Sequence, residues 1–336
     1  MIGPARRIFL GASLIAAASA LSLQAHAEDT SIALPTVSLT FTAVYVAQDL
    51  GLWEKQNLTV KSVVIQGVGS PNAVIAGSVD FTITTASTFG RAAARGQRLL
   101  VIANLLNRPM MELVLSKDVA TAAHFNPEAP LAERAKILKG KIVAIDGVAT
   151  NLHAYAQLVA LRGGLDPDKD IQFAPMSSTN MPGALQSRAI DAFTASLPWT
   201  IDAVQSGAAV MVASSPRGDL PEMLPFNYAV LMTRPSLCSD QRPICEKMAH
   251  GIAQAMQFVR EQPDETLAIV KKRFPQMSDQ ILAASLATIR NATPETPAPM
   301  LDGFENSENF NVNAHVLKPE ERLKSFDGLY TDEFVH

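Results

Sequence analysis

The chain contains two similar stretches that lie 111 residues apart. Residues 70–81 read SPNAVIAGSVDF and residues 181–192 read MPGALQSRAIDA, with a proline, an alanine, a β-branched residue and an aspartate at matching positions. The same offset places the apolar segment 32–34 on the apolar segment 143–145. Each copy is predicted to form strand, helix, strand, short helix and strand, so the chain is expected to build two small α/β lobes.

Length and composition agree with two folded lobes. The 336 residues allow two domains, and a hydrophobic fraction of 48% with 18% charged residues can fill a sizeable core. The formal net charge of -4 and the absence of a basic stripe argue against a nucleic-acid partner, which would require clustered lysine and arginine.

The first 27 residues have the features of a secretory signal peptide. Arg6 and Arg7 precede an apolar run, residues 8–23, and residues 25–27 read AHA, as a signal peptidase requires. We therefore expect a mature periplasmic chain that starts at Glu28, without a lipid anchor because no cysteine lies near the cleavage site. A membrane anchor is the alternative to a cleaved signal, and the paired arginines leave Sec and twin-arginine export both open.

Cys238 and Cys245 are the two cysteines of the chain. In an oxidising compartment, a disulfide between them is favoured over two free thiols, as a local link at the start of a helix. Two free thiols stay possible because the spacing does not fix the geometry. A metal site is not expected, since no further cysteine or histidine cluster lies beside the pair.

The order of predicted elements divides the chain into an interrupted lobe and an inserted one. Extended segments at Arg108–Ser116 and Tyr228–Thr233 are candidate crossing strands, and from Ser239 onward the pattern is helical. We expect lobe I to comprise residues 28–112 and 230–336, and lobe II residues 113–229. Alternating strands and helices indicate two doubly wound, parallel α/β lobes joined by the two crossing strands.

Six loops at the predicted carboxyl ends of strands are rich in hydroxyl and amide side chains and contain no lysine or arginine. In open parallel sheets, ligands bind at these ends, where helix N-termini converge. The loops are residues 36–42, 67–72, 84–88, 147–151, 177–182 and 196–200.

The candidate ligand-binding residues come from these loops, although each Ser, Thr or Asn could instead cap a helix. Ser70 is predicted as the N-cap of a short helix that starts at Pro71, and the ring of Trp199 could cover a planar ligand. Trp53 is expected in the core, and His153 as a capping or solvated residue. The candidates are Thr40, Phe41, Ser70, Thr85, Ala86, Ser87, Thr150, Asn151, Asn180, Ser196 and Trp199.

Such loops could hold an anion without a cationic side chain. A helix N-terminus contributes about 0.3 to 1 kcal/mol and a hydrogen bond to a charged group about 1.5 to 3 kcal/mol. Several together approach the roughly -8 kcal/mol of micromolar binding. A neutral heterocycle would suit the same loops equally well.

The sequence resembles the periplasmic solute-binding proteins of the alkanesulfonate, nitrate and thiamine-precursor type, which serve ABC importers. The resemblance covers nearly all of the chain from residue 28 to about residue 233. It is carried by YVA at 45–47, DLGLWEKQNL at 49–58, AGSVDF at 76–81, RG at 95–96, LKGKIV at 138–143, GGLDP at 163–167 and IDA at 190–192.

The resemblance implies the two-lobe, type II-like fold of periplasmic binding proteins. In this fold the two lobes close on a small molecule, and the closed form docks on a membrane permease. Members often carry an acidic residue directly before the proline that matches Pro198, but this chain has Leu197 there. A sulfonate or carboxylate ligand is therefore favoured, and a pyrimidine or thiamine precursor is the alternative. An enzyme of the same fold is disfavoured because no catalytic motif is found. No cofactor or metal is expected, and the protein is expected to be monomeric.

Overall fold

The computed structural model describes residue 1 and residues 28–335, in which the chain forms ten β-strands and fourteen α-helices. The predicted signal peptide therefore lies, apart from Met1, outside the described residues. The strands are β1 (Glu28–Leu34), β2 (Leu58–Val64), β3 (Phe81–Thr84), β4 (Leu100–Leu106), β5 (Glu112–Ser116), β6 (Lys141–Ile145), β7 (Ile171–Pro175), β8 (Ala192–Ala195), β9 (Ala209–Ser214) and β10 (Ala229–Thr233).

The helices connect these strands and then form a C-terminal helical segment. They are α1 (Thr42–Asp49), α2 (Gly69–Ile75), α3 (Ala86–Ala94), α4 (Lys117–Ala122), α5 (Leu131–Ala135), α6 (Asn151–Arg162), α7 (Pro167–Asp170), α8 (Met181–Gln186), α9 (Trp199–Gln205), α10 (Pro235–Asp240), α11 (Arg242–Glu261), α12 (Pro263–Lys271), α13 (Asp279–Ala292) and α14 (Leu301–Asn313). Across residues 28–335, no helix combines the length and the apolar character that crossing a membrane requires.

The strands form two separate five-stranded sheets. Their orders are β2-β1-β3-β10-β4 and β7-β6-β8-β5-β9. We use lobe I and lobe II for the units built on the first and the second sheet. The chain passes to lobe II between β4 and β5 and returns between β9 and β10. The residue boundaries of the lobes stay a prediction, but the two-lobe α/β fold expected from the sequence is confirmed.

The sheets are mixed, so the expectation of parallel sheets was wrong for one strand in each. β10 runs antiparallel to β3 and β4, and β5 runs antiparallel to β8 and β9. These are the strands that follow the two crossings. A strand that enters from the other lobe needs no helical crossover and can therefore pair in the antiparallel direction.

The repeat in the sequence is also a repeat of backbone pairing. Ile32 and Ala33 pair with Phe81 and Thr82 in lobe I, and the residues 111 positions later make the corresponding pairs in lobe II. The matching aspartates have the same role: the Ser31 N–H donates to Asp80 Oδ2 (3.1 Å), and the Ile142 N–H donates to Asp191 Oδ2 (2.8 Å). One aspartate per lobe thus links its first strand to the strand that follows the short helix.

Two local details complete the comparison with the sequence. Ser70 is not the N-cap of α2, which begins one residue earlier with Val68 at the N-cap position. Ser70 lies inside the first turn, fully buried, with its Oγ 2.5 Å from Thr82 Oγ1. Cys238 and Cys245 form a disulfide that joins α10 to α11.

Trp53 is part of the core, as the sequence predicted. It is fully buried, and its indole N–H donates to the Met248 carbonyl in α11 (3.2 Å). The close approach requires Gly251, since a Cβ at this position would lie 2.2 Å from Trp53 Nε1. This contact fixes the C-terminal helices on lobe I.

Gly251→Ala is expected to destabilise the protein by about 1–3 kcal/mol or more, because the added methyl group overlaps the Trp53 ring in a packed core. Gly183→Ala in the exposed part of α8 is the matched control. Its Cβ would meet no atom within 4 Å, so a gain of up to about 1 kcal/mol is expected from helix propensity. Urea unfolding measures both, and equal effects would contradict the packing argument.

Candidate functional site

A cavity lies between the two lobes at the carboxyl ends of their parallel strands. Its atom-free volume is about 550 Å³, part of it open to solvent. The lining residues are Pro35, Thr36, Thr40, Phe41, Gly67, Val68, Ile83, Thr84, Thr85, Thr88, Asp146, Thr150, Asn151, Leu152, Ser196 and Tyr228.

The cavity is built from repeat-related residues of the two lobes. Four pairs of lining residues are separated by the repeat offset of 111 positions. Three of them pair similar side chains, whereas the fourth pairs an apolar residue with an acid. The pairs are Thr40 with Asn151, Phe41 with Leu152, Thr85 with Ser196, and Pro35 with Asp146.

Six of the eleven candidate residues line the cavity, and five of the six predicted loops contribute to it. Thr85 and Thr150 also cap α3 and α6, accepting hydrogen bonds from the Thr88 N–H (3.2 Å) and the His153 N–H (3.1 Å). The capping and the cavity-lining roles are thus combined in the same residues. The six are Thr40, Phe41, Thr85, Thr150, Asn151 and Ser196.

The other five candidates lie outside the lining. Ser70 is bonded to Thr82 inside lobe I, and the Ala86 N–H donates to the Asn227 carbonyl (3.0 Å). Ser87 is fully buried and donates to Asn151 Oδ1 (2.5 Å), so it supports a lining residue. Asn180 is exposed, and its loop, residues 177–182, contributes nothing to the lining.

Trp199, the fifth, lies between the lobes and does not line the cavity. Its ring is 3% exposed and contacts the Phe274 ring of lobe I edge-on, with centroids 5.8 Å apart. The indole N–H donates to the Val37 carbonyl of lobe I (2.8 Å). The side chain therefore connects α9 of lobe II to lobe I.

Further hydrogen bonds join the lobes beside Trp199. The Leu39 N–H donates to the Leu197 carbonyl (3.0 Å), which also accepts from Ser38 Oγ (3.0 Å). Ser38 Oγ lies 2.7 Å from Ser196 Oγ. The structure thus shows direct hydrogen bonds between the lobes beside the cavity.

Arg91 is a buried cation behind the cavity wall that the loop sequences did not reveal. It lies on α3, outside the predicted loops, and its Nη2 donates to the Ala149 carbonyl of lobe II (2.9 Å) and to Thr88 Oγ1 (3.2 Å). Its Nη1 donates to Asn311 Oδ1 (2.5 Å). Burial lowers the pKa of Arg91 to about 10, so it stays charged at neutral pH.

Asp146 lines the cavity with an ionisable carboxyl group, and the sequence reasoning missed it. It directly follows β6, and its Oδ1 accepts a hydrogen bond from Thr150 Oγ1 (2.6 Å). Desolvation raises the pKa of its carboxyl to about 6, although the Thr150 hydrogen bond acts in the opposite direction. At neutral pH the cavity wall therefore carries a negative charge.

Tyr228 was predicted only as the start of a crossing strand. It immediately precedes β10, and because β10 is antiparallel to β3, its start lies at the edge where β3 ends. Burial raises the pKa of the Tyr228 hydroxyl, and the nearby charge of Asp146 adds to this. Tyr228 therefore contributes a neutral hydroxyl group to a wall that also carries the Asp146 carboxylate.

The lining has no lysine, arginine, histidine or cysteine among the described residues. His153 lies one turn away, where its Nδ1 accepts the Ala149 N–H (3.1 Å) and its ring packs on Phe173. An anion within about 4 Å of ionised Asp146 would be repelled by about 1 kcal/mol in water and about 4 kcal/mol at an effective dielectric constant near 20. Hydroxyl groups and helix N-termini would have to compensate for that repulsion.

Trp199→Phe is expected to weaken ligand binding about fivefold, because it keeps a ring against Phe274 but removes the bond of about 1 kcal/mol to the Val37 carbonyl. Trp199→Ala removes the ring as well, and we expect a loss of tenfold or more. Calorimetry with any solute that binds the wild-type protein measures both variants. Unchanged affinity in both would show that this contact does not stabilise the closed form.

Asp146→Asn is expected to stabilise the protein more at pH 7.5 than at pH 4.0. The unfolded aspartate ionises near pH 3.8 and the folded one near pH 6, so the folded state loses stability as pH rises between these values. Asparagine removes that loss. Because the side chain is partly exposed, we expect a difference of about 1–2 kcal/mol. Urea unfolding without added solute measures it, and the same effect at both pH values would contradict the assigned cause.

Solved structures of the same fold include both binding proteins and an enzyme. The alkanesulfonate-binding protein SsuA from Xanthomonas axonopodis pv. citri, bound to MOPS, has 16% identity and a TM-score of 0.68, covering 88% of this chain and 96% of that one. The periplasmic nitrate-binding protein NrtA from Synechocystis PCC 6803 has 13% identity and a TM-score of 0.60, with coverages of 88% and 91%. The desulfurization enzyme DSZB has 14% identity and a TM-score of 0.61, with coverages of 91% and 97%.

The family model described as NMT1/THI5 like matches residues 38–266 of this chain. No functionally curated protein matches the sequence. The matched region contains both sheets' strands from β2 to β10 and every lining residue of the cavity except Pro35 and Thr36. The chain therefore belongs to the NMT1/THI5-like family.

Proposed function

We propose that this protein is the solute-binding component of an ABC importer. It captures a small organic solute between its lobes in the periplasm and delivers it to a membrane permease. The family and the similarity to periplasmic binding proteins support a binding role, a small-molecule ligand and a transporter partner. Delivery to a particular permease and the monomeric state are parts of the proposal.

The observation that carries the proposal is the composition of the cavity wall. Repeat-related residues from both lobes line it, and the lobes touch through hydrogen bonds at its rim. A solute that contacts both walls interacts with the closed form more strongly than with the open form. Binding therefore shifts the population towards closure, as required for a protein that presents only its loaded form to a permease.

Two ligand classes were expected from the sequence, and the cavity weighs them differently. An organic anion, such as a sulfonate or a carboxylate, would be held by hydroxyl groups and the N-termini of α3 and α6. The Asp146 carboxylate opposes that choice at neutral pH. A pyrimidine or thiamine precursor, the alternative, offers N–H groups that a carboxylate can accept.

An enzyme making a pyrimidine is the remaining alternative, and the lining offers it little support. The described residues of the wall include one acid, Asp146, and no histidine, cysteine or lysine. Nucleophilic catalysis requires a nucleophile with an adjacent base, and general acid–base catalysis usually uses a pair of groups. DSZB shows that an enzyme can use this fold, so the argument against catalysis rests on the lining and not on the fold.

A periplasmic location follows from the same proposal. The similarity to periplasmic binding proteins supports it, as do the sequence features of residues 1–27. Sec and twin-arginine export both remain compatible with these features.

We expect the protein to become more compact when a solute binds. A thermal-shift screen of sulfonates, aromatic carboxylates, nitrate and pyrimidines identifies binders, because binding to the folded state raises the unfolding midpoint. Small-angle scattering with each binder at saturation then measures the radius of gyration, and mass spectrometry tests whether the solute is recovered unchanged.

A smaller radius of gyration with an unchanged solute is the expected result. A binder that leaves the radius of gyration unchanged would contradict capture by closure. A solute that returns chemically altered would instead establish the enzyme.

A further inference from the structure

Three side-chain polar atoms of the cavity wall have no hydrogen-bond partner in another residue of the described chain. They are the Tyr228 hydroxyl, the Thr84 hydroxyl and Oδ2 of Asp146. Tyr228 and Thr84 are 4% and 6% exposed as whole residues, and both line the cavity. The other lining hydroxyl and amide groups already bond to protein atoms. These three side-chain atoms are therefore free to form hydrogen bonds with a bound solute.

The charge of Asp146 determines what kind of group can meet it. A carboxylate only accepts hydrogen bonds, and Thr150 already donates to its Oδ1. No lysine or arginine lines the cavity among residues 28–335. Arg91, the buried cation nearby, directs its guanidinium donors to the Ala149 carbonyl, Thr88 and Asn311. Oδ2 is thus left as an acceptor without a cation.

The repeat shows that this charge belongs to one lobe only. Asp146 and Pro35 occupy equivalent positions directly after β6 and β1, and both line the cavity. The other three repeat-related pairs match a polar with a polar side chain or an apolar with an apolar one. At the repeat-related positions the two sides of the cavity therefore match in polarity, except that the lobe II side alone has an acceptor of negative charge.

We propose that the natural solute of this cavity is a nitrogen-bearing molecule, neutral or cationic, whose N–H group donates to Asp146 Oδ2. The inference rests on the proposed function and specifies its ligand class. The hydroxyl groups of Tyr228 and Thr84 accept from or donate to the remaining polar atoms of the solute. An anion of the same size is discriminated against because it places a second negative charge at the only charged group of the wall.

Three probes with one carbon framework test the inference: benzamidine, benzamide and benzoate. They present a cation with N–H donors, a neutral N–H donor and an anion without a donor. Calorimetry at pH 7.5 is expected to give wild-type affinities in that order, with benzamidine at least tenfold tighter than benzoate. Asp146→Asn is expected to reduce this ratio at least tenfold, since the neutral amide no longer favours a cation.

One further variant is a control, and another tests the contribution of a second side chain. Asp240→Asn removes an exposed carboxyl on α10, outside the cavity, and should leave the ratio unchanged. Tyr228→Phe removes the unpartnered hydroxyl and is expected to weaken binding of benzamidine and benzamide several-fold. Circular dichroism and the urea midpoint establish that each variant is folded, so that a loss of binding is not a loss of structure.

Benzoate binding as tightly as benzamidine, a ratio that Asp146→Asn does not change, or no binding of any probe at 10 mM would overturn the inference. Scattering separates this outcome from failure of the proposed function. A sulfonate or carboxylate that binds and compacts the protein overturns the ligand class and leaves capture by closure intact. Benzamidine that binds through Asp146 without compaction supports the ligand class and contradicts capture by closure.

Discussion

The position of the cleft depends on how one aspartate in each lobe fixes the pairing of two parallel strands. Asp80 accepts the Ser31 N–H and Asp191 accepts the Ile142 N–H, at equivalent positions of the repeat. A slip of one residue in either pair would turn every side chain of the strand to the opposite face. The residues that come directly after β1, β3, β6 and β8 line the cavity. The pairing therefore determines where these residues lie in the cavity wall.

Closure of the lobes uses backbone groups as much as side chains. The Leu197 carbonyl accepts two hydrogen bonds from lobe I, and the Val37 carbonyl accepts one from Trp199. Such contacts are individually weak, at about 0.5–1.5 kcal/mol each, so they favour closure without making it irreversible. In the proposed capture mechanism, a solute has to add only a differential free energy of a few kcal/mol to move the population from mostly open to mostly closed. A binding protein that must also release its solute needs a balance of this kind.

The sequence predicted the fold and much of the cleft because both follow from local patterns that are repeated. Hydrophobic periodicity placed the strands and helices, and the repeat showed that two lobes share one plan. Thr85, Ser196, Thr150 and Asn151 were found since hydroxyl and amide side chains at helix starts are visible in a sequence. Trp199 was placed at the right helix, but a sequence does not tell whether a ring at a lobe boundary faces a cavity or the other lobe.

Asp146 and Tyr228 were missed for different physical reasons. Asp146 is followed by Gly147. An aspartate–glycine pair between a strand and a helix is typical of a turn, so its side chain carried no signal of its own. Aligning the two copies would have revealed it, because the matching residue is Pro35. Tyr228 faces the cavity only because β10 enters lobe I antiparallel to β3, which is a tertiary property that no local pattern records.

Duplication of a lobe gives a cleft with two similar walls, and such a cleft by itself selects mainly for size and polarity. A position at which the copies differ gives the cavity a charge on one side only. Here that position directly follows β1 in lobe I, where it is a proline, and β6 in lobe II, where it is an aspartate. Both residues are at equivalent places in a backbone plan that is repeated within the chain. The difference therefore alters the electrostatic potential of the cavity while the strands and helices around it keep their arrangement. A single substitution can therefore alter the charge of such a cavity, and a shared fold by itself does not specify the ligand.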